Sequence, residues 1–422
     1  MPEGWAWCRL KQLSLDMADG PFGSNLKAEH YTKNKEARII QLSNIGEYGW
    51  REENIKYTTL EHAKNNISRS IVEPGNVVIA KMMPAGRAII CPNNEKMYVL
   101  SSDAVKLVPT SLINSNYLLN AINSPFFRAS VTDNVQGTTR LRTSISKLRD
   151  CFFPLPPLNE QGLIVNAIEN VISQIDDLEQ NKIDLQNLIT HTKSKILDLA
   201  IHGKLVPQDS TDEPAEELLK RIATCDNRPY EKLNKEDSPF DLPKTWTWIK
   251  LPDLCTIPIT DGTHKTPTYS DKENGIPFLS SKDVTSEKID WTRIKYITKD
   301  LHKELYKRLA PQKNDILLAK NGTTGVAAIV EDDTVFDIYV TLAVLRPNCN
   351  LVYPRYLLSI INSQFCKNQF NDHLTGIGVP NLHLVDINKT IIPLPPLSEQ
   401  KRIVEELDLL FKQLDDIFQN LF

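Results

Sequence analysis

The sequence PLPPLNEQ at residues 154–161 returns as PLPPLSEQ at residues 393–400, which lies 239 positions later. The same offset maps Ile55-Lys56-Tyr57 onto Ile294-Lys295-Tyr296. Other pairs in this register, or two to three positions from it, are Trp5 with Trp246, Asp19-Gly20 with Asp261-Gly262, Lys81 with Lys320, Gly86 with Gly325, Asn123-Ser124 with Asn362-Ser363 and Gly137 with Gly376. Because one register holds for more than a hundred residues, the pattern indicates a tandem duplication.

Each copy begins with a lobe of mixed α/β character. Short apolar runs bounded by Gly, Pro and Asn predict strands at residues 77–80, 88–90, 316–319 and 326–330. Residues 117–123 and 356–362 are better helix candidates. The fold class that we expect is α+β, with two similar lobes from the duplication, each followed by a rigid extended PLPPL segment and a long helix.

The long helices carry a heptad pattern. Asn159 and Ser398 are suitable N-caps, and each precedes a glutamate that favours the positive end of a helix. The 4-3 spaced positions in the first copy are Ile164, Ile168, Val171, Ile175, Leu178, Lys182, Leu185, Ile189, Thr192, Ile196 and Leu199, and in the second copy Ile403, Leu407, Leu410, Leu414, Ile417 and Leu421. This spacing predicts coiled-coil faces that pack on each other. The alternative is that each helix packs on its own lobe.

These patterns give the expected domain boundaries. The first lobe is residues 1–157, the central helix 158–201, the linker 202–241, the second lobe 242–396 and the distal helix 397–422. The linker is rich in Pro and in charged and polar residues, and it contains a short helix candidate at residues 214–223.

Composition excludes several classes of protein. A chain of 422 residues is too long for a single hydrophobic core. No apolar run reaches the roughly 18–20 residues that span a bilayer, and the N-terminal residues lack the apolar core of a signal peptide. The seven cysteines are widely spaced, which argues against zinc knuckles and a disulfide framework. We therefore expect a cytoplasmic protein that does not associate with membranes.

The net charge of −4 conceals an uneven distribution. Residues 1–157 hold 19 basic and 14 acidic side chains, and residues 242–396 hold 18 and 16. The connecting residues 158–241 hold 9 basic and 17 acidic side chains. Because affinity for a polyanion depends on the local field at the contact surface, two weakly basic lobes are compatible with nucleic-acid binding.

No catalytic motif is present. The sequence has no HExxH, no GxxxxGK[ST], no GxGxxG after a strand and no GxSxG. Asn123-Ser124-Pro125-Phe126 only superficially resembles the Asn-Pro-Pro-Phe/Tyr motif of amino-methyltransferases. Asp315 before Lys320 loosely suggests a metal-dependent nuclease, but Asn76 replaces the aspartate in the other copy. We expect no catalytic residue, no metal and no cofactor.

The lobes instead contain loops rich in hydrogen-bond donors, which suit phosphates and base edges. One type of loop reads DGPFGSNLK at residues 19–27 and DGTHKTPTY at residues 261–269, and a second lies before each PLPPL at residues 137–142 and 376–383. The candidate DNA-binding residues are Gly20, Ser24, Asn25, Lys27, Lys81, Arg87, Arg140, Arg142, Thr263, His264, Lys265, Thr266, Tyr269, Lys320, Asn381 and His383. Lys81 and Lys320 suit phosphate contact or a purely structural role.

These motifs together resemble the specificity subunit of a Type I restriction–modification system. The resemblance rests on the two DG loops, the doubled PLPPL[NS]EQ before a long helix and the AIHGKLVPQD segment at residues 200–209, and it covers essentially the whole chain. It implies that each lobe is a target recognition domain that reads one half of a bipartite site in double-stranded DNA. The helices would pair antiparallel, separate the lobes and dock two modification (methyltransferase) subunits, and nuclease/translocase subunits would then join. Catalysis would belong to these partners. The alternative is a two-lobed scaffolding protein that binds protein partners.

Overall fold

The chain folds into two units, Met1–Glu179 and Gln180–Phe422. The computed structural model describes residues 1–47, 49–82, 84–132, 142–226, 230, 233, 238–284, 288–372 and 381–421. One long helix, Leu158–Ile201, begins in the first unit and ends in the second.

The strands of the first unit are β1 (Ala6–Arg9), β2 (Ser14–Asp19), β3 (Tyr31–Thr32), β4 (Ala37–Ile40), β5 (Tyr57–Thr58), β6 (Ile71–Val72), β7 (Val77–Ala80), β8 (Ala88–Ile90), β9 (Tyr98–Leu100), β10 (Ala104–Pro109) and β11 (Phe152–Leu155). The helices are α1 (Leu60–Asn65), α2 (Ser115–Asn123), α3 (Pro125–Thr132), α4 (Ile145–Asp150) and α5 (Leu158–Ile201), which continues into the second unit.

In the second unit the chain continues with α6 (Ala215–Asp226), followed by the strands β12 (Thr247–Lys250), β13 (Thr260–Asp261), β14 (Tyr269–Ser270), β15 (Ile276–Leu279), β16 (Lys295–Ile297), β17 (Ile316–Ala319), β18 (Ala327–Ile329), β19 (Asp337–Ile338), β20 (Leu342–Leu345) and β21 (Ile391–Leu394). The remaining helices are α7 (Lys299–Arg308), α8 (Pro354–Ile361), α9 (Gln364–Asn371), α10 (Leu384–Ile387) and α11 (Leu397–Leu421).

The two units share one sheet topology. A four-stranded antiparallel sheet has the order β2-β10-β7-β8 in the first unit and β13-β20-β17-β18 in the second. A second, mixed sheet, called the smaller sheet because it contains fewer residues, has the order β3-β5-β4-β9-β6 in the first unit and β14-β16-β15-β19 in the second. Among the described strands β6 has no counterpart, and β1-β11 corresponds to β12-β21. The α+β duplication predicted from the sequence is therefore confirmed.

One inner strand of each four-stranded sheet, β7 in the first unit and β17 in the second, is buried on both faces. In β7, Val77 and Ile79 face one apolar cluster, whereas Val78 and Ala80 face another. The strand β17 divides in the same way. Successive side chains of a strand point to opposite faces, so an uninterrupted apolar run is what a strand between two cores requires.

Each PLPPL[NS]EQ motif locks a helix to its lobe. Gln161 is buried, accepts a hydrogen bond from the Asn114 amide at 2.7 Å and donates to the Pro156 carbonyl at 3.0 Å. Gln400 makes the same contacts to the Tyr353 amide at 2.7 Å and the Pro395 carbonyl at 3.0 Å. The final glutamine of the motif therefore has a structural role in both units.

The glutamate of each motif binds a tryptophan. Glu160 accepts a hydrogen bond from the Trp5 indole, and Glu399 accepts one from Trp246, each at 3.0 Å. Burial raises the pKa of the Glu399 carboxyl. The N-caps predicted at Asn159 and Ser398 are wrong, because the helices begin at Leu158 and Leu397, and the carbonyls of Pro157 and Pro396 already accept helical hydrogen bonds.

Replacement of Gln400 by alanine is expected to lower the free energy of unfolding by about 2–3 kcal/mol, because it leaves the Tyr353 amide and two buried carbonyls without partners. Urea unfolding of the full chain measures this loss. Gln364→Ala is the matched control, since Gln364 is exposed and bonds only Asn368. Equal stabilities of Gln400→Ala and Gln364→Ala would contradict the structural role of Gln400.

The predicted heptad face is only partly paired. Lys193 of α5 lies 2.6 Å from Asp415 of α11, while residues just beyond α5 reach the start of α11, where Asp212 binds Arg402 at 2.6 Å. The last turns of α5 therefore run antiparallel to α11. The first turns of α5 pack on the first lobe, as expected from the alternative in which each helix packs on its own lobe. Val171, Ile175 and Leu178, in the first half of α5, are exposed.

Part of the linker after α5 packs into the second core. Ala215, Leu218 and Leu219 of α6 are buried in it. Phe240 packs edge-on against Trp248, with ring centroids 4.9 Å apart, and Trp248 is 8% exposed. Its counterpart Trp7 is 50% exposed. The contact of Phe240 with Trp248 thus buries an aromatic side chain that remains exposed in the first unit.

Candidate nucleic-acid interface

A lysine at the end of the central strand binds the aspartate of the DG loop in each unit. Lys81 forms an ion pair with Asp19, and Lys320 Nζ lies 2.5 Å from Asp261 Oδ2. Both lysine side chains are 7% exposed. Of the two roles considered for these lysines, this geometry favours the structural one, because a neutralised and buried ammonium group contributes little to phosphate binding.

The glycine after each aspartate allows a close approach of two backbones. A Cβ atom on Gly20 would lie 1.7 Å from the Ser101 carbonyl oxygen, and one on Gly262 would lie 2.1 Å from that of Ile338. The Asp-Gly pair therefore fixes the loop at two points. The aspartate carboxylate binds the lysine, and the glycine allows the loop to pack closely on the backbone of the smaller sheet. Gly20 has a packing role in the predicted site.

In the first unit the DG loop forms one wall of a cleft of about 510 Å³. Arg142 also lines this cleft, where it donates to the Ser102 carbonyl and lies 3.3 Å from Asp103. Its backbone bridges to Met82, next to Lys81. The structure therefore brings Gly20, Lys81 and Arg142 together, although they are far apart in the sequence.

The remaining loop residues of the first unit lie on the surface. The Ser24 hydroxyl donates to Asn25 Oδ1 at 3.2 Å, and the Asn25 carbonyl oxygen lies 2.8 Å from His62 Nε2. Lys27 lies 3.9 Å from Glu29. Arg87 lies outside the DG loop and donates a hydrogen bond to the Pro84 carbonyl. Burial lowers the pKa of Arg87, and so do the neighbouring charges of Arg128 and Arg51.

In the second unit the loop is arranged around Asp261. Thr263 is buried and its hydroxyl accepts the Lys265 amide at 3.1 Å, so this side chain faces inward. His264 is exposed and lies 3.3 Å from Asp261, while the Lys265 ammonium lies 2.5 Å from Glu304. Thr266 and Tyr269 are exposed. Of the predicted residues in this loop, His264, Lys265, Thr266 and Tyr269 are exposed.

The second type of loop, which precedes each PLPPL segment, ends next to the residues that follow β7 and β17. Asn381 bridges to Asn321, as Arg142 does to Met82, and its Nδ2 atom lies 3.5 Å from His383 Nε2. The Leu382 amide donates to the Lys320 carbonyl at 2.8 Å. Arg140 and residues 376–380 lie outside the described residues.

The two resemblances to catalytic motifs have structural explanations. The Asn123 carboxamide bonds both the amide and the carbonyl of Ala88, at 3.0 and 2.9 Å. Asn362 does the same at Ala327. Asp315 binds Arg346 through two hydrogen bonds of 2.8 Å. These side chains clamp secondary structure together.

Across the described ranges no group of three or more His, Cys, Asp or Glu side chains is placed to hold a metal ion. The described cysteines Cys8, Cys91, Cys151, Cys255, Cys349 and Cys366 are free thiols, and burial raises the pKa of Cys91 and Cys366 to about 12. Within the same ranges, no helix has the length and apolarity to cross a bilayer.

Sequence reasoning missed two exposed cations beside this site. Lys56 lies over the Tyr31 ring, with Nζ 5.2 Å from the centroid, and Lys295 lies 4.6 Å from that of Tyr269. Only Tyr269 was among the predicted residues. The repeated Ile-Lys-Tyr triplet was a signal that could have identified both lysines.

The chain is similar to proteins of one family. The family model described as "Type I restriction modification DNA specificity domain" matches residues 26–187 and 243–421. The EcoAI specificity subunit of Escherichia coli is 24% identical over 98% of this chain and 78% of its own length. The EcoBI specificity subunit, also from Escherichia coli, is 24% identical over 72% of this chain and 60% of its own length.

Solved structures show the same fold. The HsdS subunit from Thermoanaerobacter tengcongensis aligns with a TM-score of 0.55 and 18% identity, over all of this chain and 93% of that one. A chain from a study of complex assembly in the type I R-M system aligns with a TM-score of 0.56 and 19% identity. Since the family model matches most of both units, the chain belongs to the specificity subunits of Type I restriction–modification systems, which are non-catalytic and confer DNA sequence specificity.

Proposed function

We propose that each lobe reads one half of a bipartite site in double-stranded DNA, the first lobe being residues 1–157 and the second residues 242–396. The observation that carries this proposal is that one sheet topology occurs twice while the side chains at the loop tips differ. Arg142 occupies the position that Asn381 has in the other unit. Arginine suits guanine and asparagine suits adenine, so equal scaffolds with unequal tips suit two different half-sites.

The direct readers that we propose are predicted loop residues with exposed or partly exposed side chains. They are Ser24, Asn25, Arg142, His264, Thr266, Asn381 and His383, together with Arg140 from the sequence prediction. Lys27 and Lys265 belong to the DG loops, where each lies beside a glutamate, and Arg87 would add positive charge elsewhere on the first lobe. Gly20, Lys81, Thr263 and Lys320 hold the loops in place instead.

The helical segments, residues 158–201 and 397–422, would dock two modification subunits, with nuclease/translocase subunits joining through the complex in the cytoplasm. Exposed apolar side chains along the middle of α5 supply the surface for such docking, among them Val171, Ile175 and Leu178. Residues 202–241 would form the linker to the second lobe, with α6 packed on the core of that lobe.

Exchange of residues 1–157 for the corresponding lobe of a relative is expected to change one half of the methylated site completely and to leave the other half unchanged. The boundary at residue 157 keeps β1 and β11 together, which pair through residues Ala6–Arg9 and Phe152–Leu155. Methylome sequencing of cells that express the chimaera with its modification subunit gives the readout. Arg142→Ala in the unaltered chain should weaken the first half-site by about 1–3 kcal/mol if the side chain contacts a base edge.

Exchange of residues 242–396 is the matched control and should alter only the other half. Simultaneous change of both halves by either exchange would show that recognition is not modular. Absence of methylation with both parental chains active would point to failed assembly, which binding of the purified chimaera to its modification subunit would detect.

A further inference from the structure

The same exposed tyrosine–lysine pair occurs on the smaller sheet of each unit. In the first unit Tyr31 on β3 is opposite Thr58 on β5, and Lys56 precedes Thr58 by two residues. In the second unit Tyr269 on β14 is opposite Ile297, and Lys295 precedes it by two residues. The pairs therefore occupy one diagonal position in an antiparallel ladder, where side chains share a face.

These lysines differ from those at the DG loops in their charge balance. Lys27, Lys81, Lys265 and Lys320 each have a carboxylate within 4.0 Å. No described residue forms an ion pair with Lys56 or Lys295, and both are exposed. An ammonium group over a tyrosine ring keeps its full positive charge while the ring restricts its position.

In the second unit the pair lines a cleft of about 550 Å³ that contains more cations than anions. Lys282, Arg293 and Lys295 line it, together with Tyr269. The two carboxylates of the lining are engaged within their own turns: Asp283 accepts hydrogen bonds from Ser280, and Asp290 from Thr292. With three cations and two carboxylates, the lining carries a net positive charge, which favours an anion.

We propose that Tyr31–Lys56 and Tyr269–Lys295 are equivalent anchors for the DNA backbone, and that each binds one phosphate of its half-site. The lysine supplies the charge, and the tyrosine hydroxyl donates a hydrogen bond to a phosphate oxygen. This inference rests on the proposed function and deepens it: the repeated pair positions the duplex independently of sequence, and the divergent loops read it. A backbone anchor has the same ligand in both half-sites, so it stays the same in both lobes.

The test is the salt dependence of binding of the full chain to a mixed-sequence 40-base-pair duplex. Each neutralised phosphate contributes about 0.9 to the slope of log K against log salt. Lys56→Ala and Lys295→Ala should each reduce the slope by about 0.9, and the double variant by about twice that. Tyr31→Phe and Tyr269→Phe should weaken binding at every salt concentration without changing the slope.

Lys56→Arg and Lys295→Arg should keep the slope of the wild type, and so should Lys220→Ala, which removes an exposed lysine from α6 that pairs with Glu217. Thermal unfolding of every variant separates a stabilising role of the pair from a ligand-binding one. A folded double variant with an unchanged slope overturns the anchor but leaves the proposed function intact. A wild-type chain without salt-dependent binding to DNA overturns the proposed function itself.

Discussion

Replacement of Asp261 by alanine is expected to lower the free energy of unfolding of the second unit by about 3–5 kcal/mol. The variant leaves the Lys320 ammonium group 7% exposed and without its carboxylate. A charge held in a poorly solvated site without a partner costs much more than the pair contributes. Urea or thermal unfolding of the full chain measures the effect.

The equivalent Asp19→Ala variant is the matched control. Asp19 is 41% exposed, whereas Asp261 is 8% exposed. Removal of the exposed Asp19 side chain would therefore open Lys81 to water from the cleft, and the expected loss is only about 1–2 kcal/mol. Lys320→Met should recover part of the stability lost in Asp261→Ala, since it removes the unpaired charge. Equal losses for Asp19→Ala and Asp261→Ala, or no recovery, would show that burial does not determine the strength of these pairs.

Replacement of Gly262 by alanine is expected to destabilise the second unit by about 3 kcal/mol, at the upper end of the usual cost of overpacking. The new Cβ atom would lie 2.1 Å from the backbone oxygen of Ile338. Because that oxygen belongs to the smaller sheet, the loop and the sheet must move apart. Gly20→Ala should act similarly in the first unit. Unfolding measurements give the loss, and weaker DNA binding should accompany it.

The control is Gly162→Ala in α5, where a Cβ atom would meet nothing within 4 Å. Alanine loses less conformational entropy than glycine in a helix, so this variant should stabilise the chain by about 0.5–1 kcal/mol. The two substitutions are chemically identical and have opposite expected signs. Gly262→Ala with wild-type stability would contradict the close approach.

Much of the architecture could be predicted because it depends on local pattern and on internal repetition. Apolar runs bounded by Gly, Pro and Asn placed β7 and β17 at their observed residues, and the duplicated PLPPL[NS]EQ located both long helices. The N-caps were wrong because proline carbonyls accept the first helical hydrogen bonds in place of Asn159 and Ser398.

The sequence by itself determined the duplication, the α+β class, the long helices and the family, since all of these follow from residues near one another or from a repeated register. The tertiary structure alone decided which cations are available for a ligand. Lys81 and Lys320 resembled phosphate ligands in sequence, but each lies against an aspartate about sixty positions away. Lys56 and Lys295 were not among the residues predicted from the sequence, yet they lie exposed over tyrosine rings. Charge neutralisation depends on distances between strands, and those distances exist only after the sheets have formed.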